Sequence, residues 1–213
     1  LNSLDSRGNN IQWKSDGTRA YALNSYDEFI HELQPSTAWT IGGPIYGNDL
    51  SYYNDNAYTD LIHIYKKTNY QSLYSMRWNP DGTKFYLSPS TSGIKEFSVS
   101  TPYDFKSTWS NTGASIPNTG LGYGIIDISY NADGTRFFLM EIQNHIVKQY
   151  NLSTGFDLST ETDANADLDL TVGSGASGVS GGAIADTGRY IYMCRSSTIY
   201  QWTLSTPWEL STA

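Results

Sequence analysis

The feature that most constrains this chain is a tight Asp-Gly turn, set between two apolar-alternating runs and repeated along the whole sequence. The turns are Asp16-Gly17-Thr18, Asp81-Gly82-Thr83, Asp133-Gly134-Thr135 and, with its last two residues exchanged, Asp186-Thr187-Gly188. Before them stand Ile11-Gln12-Trp13, Met76-Arg77-Trp78, Ile128-Ser129-Tyr130 and a degraded Ala183-Ile184. After them a basic residue leads into an aromatic or aliphatic run: Arg19 with Tyr21, Lys84 with Tyr86, Arg136 with Phe138, Arg189 with Tyr190. A third run follows from Ile30, Ile94, Val147 and Ile199. Each copy closes on Ser-Thr-x-aromatic, at Trp39, Tyr103, Phe156 and Trp208. Repetition at this period fixes the fold class before any other property is considered.

Glycine supplies a positive φ without a Cβ penalty, so Asp-Gly between alternating runs predicts a hairpin. β-Branched and aromatic residues at period two mark the flanking runs as strands. A fourth strand is expected at Leu168–Val172 and, less clearly, around Thr108-Trp109. One such sheet cannot bury both of its faces, so neighbouring copies must stack. Radial stacking gives a β-propeller. The sequence therefore predicts an all-β fold: a β-propeller of about four blades, each a three- to four-stranded antiparallel sheet. Residues 1–213 form one domain, with blades at approximately 1–70, 71–124, 125–178 and 179–213. Ser110–Gly124 and Gly173–Gly182 are expected as linkers between blades. Leu1–Ser6 is expected to pair beside Ile199–Leu204, or a neighbouring chain to fill that place.

The Pro80-Asp81-Gly82-Thr83-Lys84 core, with its Ile94-Lys95-Glu96-Phe97 strand, resembles the YVTN and WD-repeat-like class of bacterial propeller blades. The longer form Gln201-Trp202-Thr203-Leu204-Ser205-Thr206-Pro207-Trp208 resembles tandem blades of structural and adhesive proteins from marine bacteriophages and aquatic bacteria. The resemblance implies a propeller over nearly the whole chain and a structural or adhesive role. The fourth copy departs from the pattern at Thr187-Gly188, which puts its turn geometry in question.

Charge narrows the choice of partner. The formal net charge is −8, with only 13 basic residues, thinly spread. Nucleic acid is excluded as a partner, because neutralising phosphates needs clustered Lys and Arg. No basic amphipathic run and no long apolar run is present, so membrane insertion is not expected. Cys194 is the sole cysteine and is read as a buried structural thiol in a strand.

No catalytic constellation can be assembled, so the chain is read as not an enzyme. His31, His63 and His145 are too scattered for zinc. Binding is assigned to aromatics. Tyr46, Tyr52, Tyr53 and Tyr58 interleave with Gly, Asn and Asp in the long first interval, where tyrosine offers contact area at low entropic cost. Trp39, Tyr103 and Trp208 either staple the blade edge or stack on sugars. Asp163, Asn165, Asp167 and Asp169 place oxygens at alternate positions, like the opening of a calcium loop. Leu168 stands where that loop needs glycine, so an acidic hairpin loop is the competing reading. No cofactor is expected beyond that calcium alternative. Arg19, Lys84, Arg136 and Arg189 are expected at matching blade positions, paired with acids such as Glu32, Glu96, Asp104 and Asp157.

These readings converge on a non-enzymatic module in a virion (tail, fibre or decoration) or on a cell surface. Its expected partners are other structural proteins or further copies of itself. The alternative is a carbohydrate-binding, lectin-like propeller that recognises surface glycans.

Overall fold

A computed structural model describes residues 11–24, 29–35, 37–39, 64–67, 72–89, 93–117, 124–141, 143–171, 179–195 and 197–213. The Asp-Gly turns do what the repeat predicts. Each joins the first and second strands of a meander whose strands pair in chain order. The first sheet is β1 (Ile11–Trp13), β2 (Ala20–Asn24), β3 (Phe29–Leu33) and β4 (Ile64–Lys67). The second is β5 (Leu73–Trp78), β6 (Lys84–Pro89), β7 (Ile94–Val99) and β8 (Trp109–Ile116). The third is β9 (Ile125–Tyr130), β10 (Arg136–Glu141), β11 (Ile146–Leu152) and β12 (Glu161–Asp169). The fourth has three described strands, β13 (Val179–Ile184), β14 (Tyr190–Arg195) and β15 (Thr198–Thr203).

Every pairing within these sheets is antiparallel. Successive sheets touch through their inner strands, β2 on β5, β5 and β6 on β9, and β9 on β13. The first strand of each blade is therefore innermost and the fourth outermost, which is the architecture of a β-propeller.

Apolar side chains fill the gaps between blades. Between the first two, Trp78 packs 4.8 Å from Phe105 and 5.2 Å from Tyr21, and Phe85 stacks on Phe97 at 4.9 Å. Tyr86, Ile94, Phe137 and Leu158 fill the second gap, and Phe138, Val147, Ile191 and Leu210 the third. Aromatic pairs at these separations add to plain area burial, so the chain's heavy use of Tyr, Trp and Phe is accounted for by the gaps.

Two local expectations change. β8 runs through Ser110–Ile116, which the sequence read as linker. It is an outermost strand, largely exposed on both faces, so it needs no apolar alternation to form. The fourth strand of the third blade is Glu161–Asp169 rather than Leu168–Val172, so the acidic stretch is itself the strand. Charged residues on an outer strand also discourage edge-to-edge association. The proposed pairing of residues 1–6 beside β15 lies outside the described residues.

Candidate functional site

Every junction between blades is assembled from the same parts. The first part is local. Gly17, Gly82, Gly134 and Gly188 all have φ between 66° and 72°. Each donates its N–H three residues back, to Lys14, Asn79, Asn131 and Ala185. A closing aromatic lies flat on each glycine, so that a Cβ there would meet the ring at 2.1–2.5 Å. The aromatics Trp39, Tyr103, Phe156 and Trp208 themselves take a left-handed backbone, with φ of 59–64°. Their N–H groups donate to the turn glycine's carbonyl at 2.8–3.1 Å. A left-handed non-glycine residue costs about 1–2 kcal/mol, and the ring's seat on the bare glycine offsets it.

Each closing aromatic's carbonyl is thereby turned towards the preceding blade. The Tyr103 carbonyl accepts the Tyr21 hydroxyl at 2.6 Å and the Arg19 guanidinium at 2.9 Å. The Phe156 carbonyl accepts the Tyr86 hydroxyl at 3.0 Å and Lys84 Nζ at 3.1 Å. The Trp208 carbonyl accepts Arg136 at 2.7 Å, with Phe138 in the tyrosine's place, its ring 5.6 Å from Trp208. Burial pushes the phenols of Tyr21 and Tyr86 far above the ordinary tyrosine range, so both remain donors.

The last part is a buried acid or amide in the third strand. Glu32, Glu96 and Gln149 accept the backbone N–H of Phe105, Leu158 and Leu210, each at 2.9 Å. Glu32 also holds Arg19, and Glu96 holds Lys84 Nζ at 2.9 Å. Burial raises the Glu32 pKa, against the opposing pull of the Phe105 N–H and Arg19. Arg136 instead meets Glu209 at 2.8 Å, and Arg19 lies 3.8 Å from Asp104.

This register corrects one sequence assignment. Tyr190, not Arg189, stands with Arg19, Lys84 and Arg136: its carbonyl accepts the Ala185 N–H as theirs accept Lys14, Asn79 and Asn131. The inverted Thr187-Gly188 keeps its glycine in the left-handed position, and the arginine moves back by one.

The same register shows what the two ends lack. Tyr192, Ile199 and Gln201 hold the places of Tyr86, Ile94 and Glu96, with Tyr192 opposite Gln201 and Cys194 opposite Ile199 across β14 and β15. Ile30, Ile94 and Val147 are all 0% exposed, whereas Ile199 is 69% exposed. Gln201 is exposed where Glu32, Glu96 and Gln149 are buried. Cys194 is partly exposed, contrary to the expected burial. At the other end Trp39 and Ile11 are each 57% exposed, since no described blade lies against them. Trp39 rests on Trp13 at 5.5 Å.

Of the remaining sequence candidates, Tyr103 and Trp208 are half-buried junction parts. Tyr46, Tyr52, Tyr53 and Tyr58 lie outside the described residues. Asp163, Asn165, Asp167 and Asp169 sit along the extended β12, with Asp163 opposite Tyr150 and Asp167 opposite Lys148. Asp167 lies 3.8 Å from Lys148 Nζ, and Asp169 accepts the Thr171 N–H at 2.7 Å. Among the described residues, no three His, Cys, Asp or Glu side chains converge on a metal-sized space.

The aspartates of the three Asp-Gly-Thr turns each accept the N–H and hydroxyl of the threonine two residues on, at 2.6–3.0 Å. A further polar group that sequence reasoning missed lies on the inner strands β5 and β9. Arg77 lies 5.3 Å over the Tyr130 ring, and the Ser129 hydroxyl donates to Asp127, whose pKa burial raises. Nothing in the repeat marked it, because Arg77 and Asp127 have no counterparts in the other blades.

No protein-family model matches the chain, and no curated protein matches it in sequence. Solved structures do match the fold. A putative 6-phosphogluconolactonase from Bacteroides uniformis aligns at 14% identity and a TM-score of 0.56, over 94% of this chain and 51% of that one. The β-propeller domain of Cps50 (Swd1) from Myceliophteria thermophila aligns at 11% identity and TM-score 0.51, over 92% and 52%. A functionally unknown protein from Desulfotomaculum acetoxidans aligns at 11% identity and TM-score 0.57, over 95% and 68%. At these identities the likeness establishes the propeller fold. The chain spans about half the length of the first two.

Proposed function

We propose that this chain is a non-enzymatic structural or adhesive β-propeller module working through protein–protein contact, in a virion (tail, fibre or decoration) or on a cell surface. One observation carries the reading. The exposed large hydrophobic residues among the described ones, Ile11, Trp39 and Ile199, all lie on the two end faces of the blade stack. Apolar surface of this kind at a defined place is a contact site. Tyr21, Tyr86 and Glu32, whose pKa values burial raises, support it, since they are engaged in holding blades together. The sequence resemblance to phage and aquatic bacterial blades supports the location.

Carbohydrate binding is the second reading, favoured by the exposed Trp39 on Trp13, a platform on which a sugar ring could stack. Two measurements separate the readings. Cross-linking mass spectrometry on the native assembly is expected to join β15 or the Trp39 turn to protein. A glycan array is expected to stay blank. Saturable glycan binding abolished by Trp39→Ala, or turnover of a sugar lactone or glycoside, would overturn the structural reading.

A further inference from the structure

The innermost strands can be aligned by the bonds that close their turns. Lys14, Asn79 and Asn131 donate their N–H groups to the carbonyls of Arg19, Lys84 and Arg136, and so hold one equivalent place. Two residues back, Gln12, Arg77 and Ser129 share a second place, and two further back Ser75 and Asp127 share a third. In the same register Trp78 is equivalent to Tyr130, opposite Phe85 and Phe137. Each is one residue from a hydrogen-bonded pair, so its own N–H points away from the neighbouring strand, to the free inner edge of the sheet.

The first and third blades build an acceptor into this edge, and the second does not. Gln12 Oε1 accepts the Trp78 N–H at 2.8 Å, from the first blade to the second. From the second to the third, the same place holds Arg77, whose guanidinium only donates and cannot take the Tyr130 N–H. In the third blade Asp127 accepts the Ser129 hydroxyl, whereas Ser75 holds that place in the second. Ser75 stands opposite Ser88, and Arg77 opposite Tyr86, so these four side chains share one face of the hairpin. Ser75 and Ser88 are both 0% exposed, and neither hydroxyl has a hydrogen-bond partner. Arg77 Nε is likewise buried without one. Asp127 feels the charge of Arg77, but its carboxyl is engaged by the Ser129 hydroxyl and the Ile128 N–H.

Buried donors without an acceptor cost free energy, and a buried cation costs more unless a counter-charge reaches it. A water molecule would satisfy the hydroxyls and leave the guanidinium unbalanced. We propose that the inner edge between the second and third blades binds a small monovalent anion, a halide or a short carboxylate. Arg77 and the Ser75 and Ser88 hydroxyls hold it, and it stands towards the Tyr130 N–H as Gln12 Oε1 stands towards that of Trp78. One guanidinium matches one negative charge, and the complete burial of both serines excludes a bulky ion. Charge-assisted bonds of this kind are the strong ones, so a single cation suffices in a chain with few of them. The site goes beyond the contact reading above and does not depend on it.

The test is thermal unfolding of the 213-residue chain, titrated separately with chloride and with formate while a bulky sulfonate holds the ionic strength constant. The midpoint is expected to rise and then saturate in at least one of the two, as for a ligand that binds only the folded chain. A response to chloride alone identifies an inorganic ion, and a response to formate alone a carboxylate. Arg77→Gln installs the first blade's own acceptor, so it is expected to stay folded and to lose at least about tenfold in affinity for both ions. Ser75→Ala keeps the charge and is expected to weaken binding by a smaller factor. Anomalous scattering from crystals soaked in bromide is expected to place the ion beside Arg77 and the Ser75–Ser88 pair. A midpoint indifferent to both salts would mean that water fills the edge, and would overturn the proposal. So would an equal rise in Arg77→Gln, or bromide found only elsewhere, either of which means an adventitious ion only. None of these failures touches the contact reading, which the cross-linking experiment decides.

Discussion

Glu32 accepts the backbone N–H of Phe105 at 2.9 Å, from a position 73 residues earlier in the chain. That bond crosses from one blade to the next, and the third junction makes it with Gln149 and Leu210 instead. The natural amide shows that the acceptor, rather than the charge, is the requirement. Glu32→Gln keeps the acceptor and removes a carboxylate whose pKa burial has raised. A raised pKa means that the group favours folding at low pH and that this is lost as pH rises through its folded pKa. Glu32→Gln is therefore expected to match or exceed the parent in urea denaturation at pH 7, with the difference shrinking towards pH 4. Glu32→Ala leaves the buried N–H without its acceptor and removes one of Arg19's partners, at a cost of about 2–4 kcal/mol.

The turn glycines separate two costs that usually come together. Gly82→Ala meets both a φ of 71° and the Tyr103 ring at 2.1 Å, so the closing aromatic must leave its seat. Gly113→Ala meets a φ of 89° in open space. Thermal unfolding is expected to show about 1–2 kcal/mol for Gly113→Ala, the backbone term alone. Gly82→Ala is expected to lose clearly more. Equal losses would mean that the ring contributes nothing.

Tyr86→Phe is a smaller perturbation with a natural precedent in Phe138. The Phe156 carbonyl keeps Lys84 Nζ at 3.1 Å when the hydroxyl is removed. A loss of about 0.5–1.5 kcal/mol in denaturant unfolding is expected, the net value of one hydrogen bond. Adding Lys84→Met to Tyr86→Phe strands that carbonyl, and the pair is expected to lose more than the sum of the single changes.

Much of this fold was legible because it repeats, and the unread parts are those that do not. Gly17, Gly82 and Gly134 announced hairpins, and their aromatic followers announced packing. The fourth copy was set one residue out because Arg189 was matched to Arg19. The residue with a physical requirement is the glycine, which must have positive φ, and matching Gly188 to Gly17 places Tyr190 correctly. β8 and β12 were misplaced because outermost strands are only partly buried, so their alternation is weak and polar residues such as Ser110 and Asp163 fall within them. Arg19 and Lys84 were correctly paired with Glu32 and Glu96 along adjacent strands. The second task of those acids, holding an N–H of the next blade, has no sequence signature, since Phe105 and Leu158 lie 73 and 62 residues away. Ile199 and Gln201 read like their counterparts in every other blade, so only the structure shows that they are exposed.

Acid should act on the turns in the sense opposite to its action on Glu32. In Asp133 the Thr135 hydroxyl and then its N–H hold the carboxyl below the ordinary range, and Asp16 is lowered by Lys14 together with Thr18. In Asp81 burial opposes the Thr83 bonds and loses to them. A lowered pKa means that each group's stabilisation is present above the unfolded value near 3.8 and disappears as pH falls through the folded one. Thermal midpoints should therefore drop progressively below about pH 4 as these turns protonate. Asp133→Ala is expected to lower the midpoint at pH 7 and to flatten its decline in acid. Thr135→Val should reproduce part of both effects by removing the hydroxyl donor while leaving the N–H. If Asp133→Ala declines in acid as steeply as the parent, the Asp133 turn contributes nothing to the acid response.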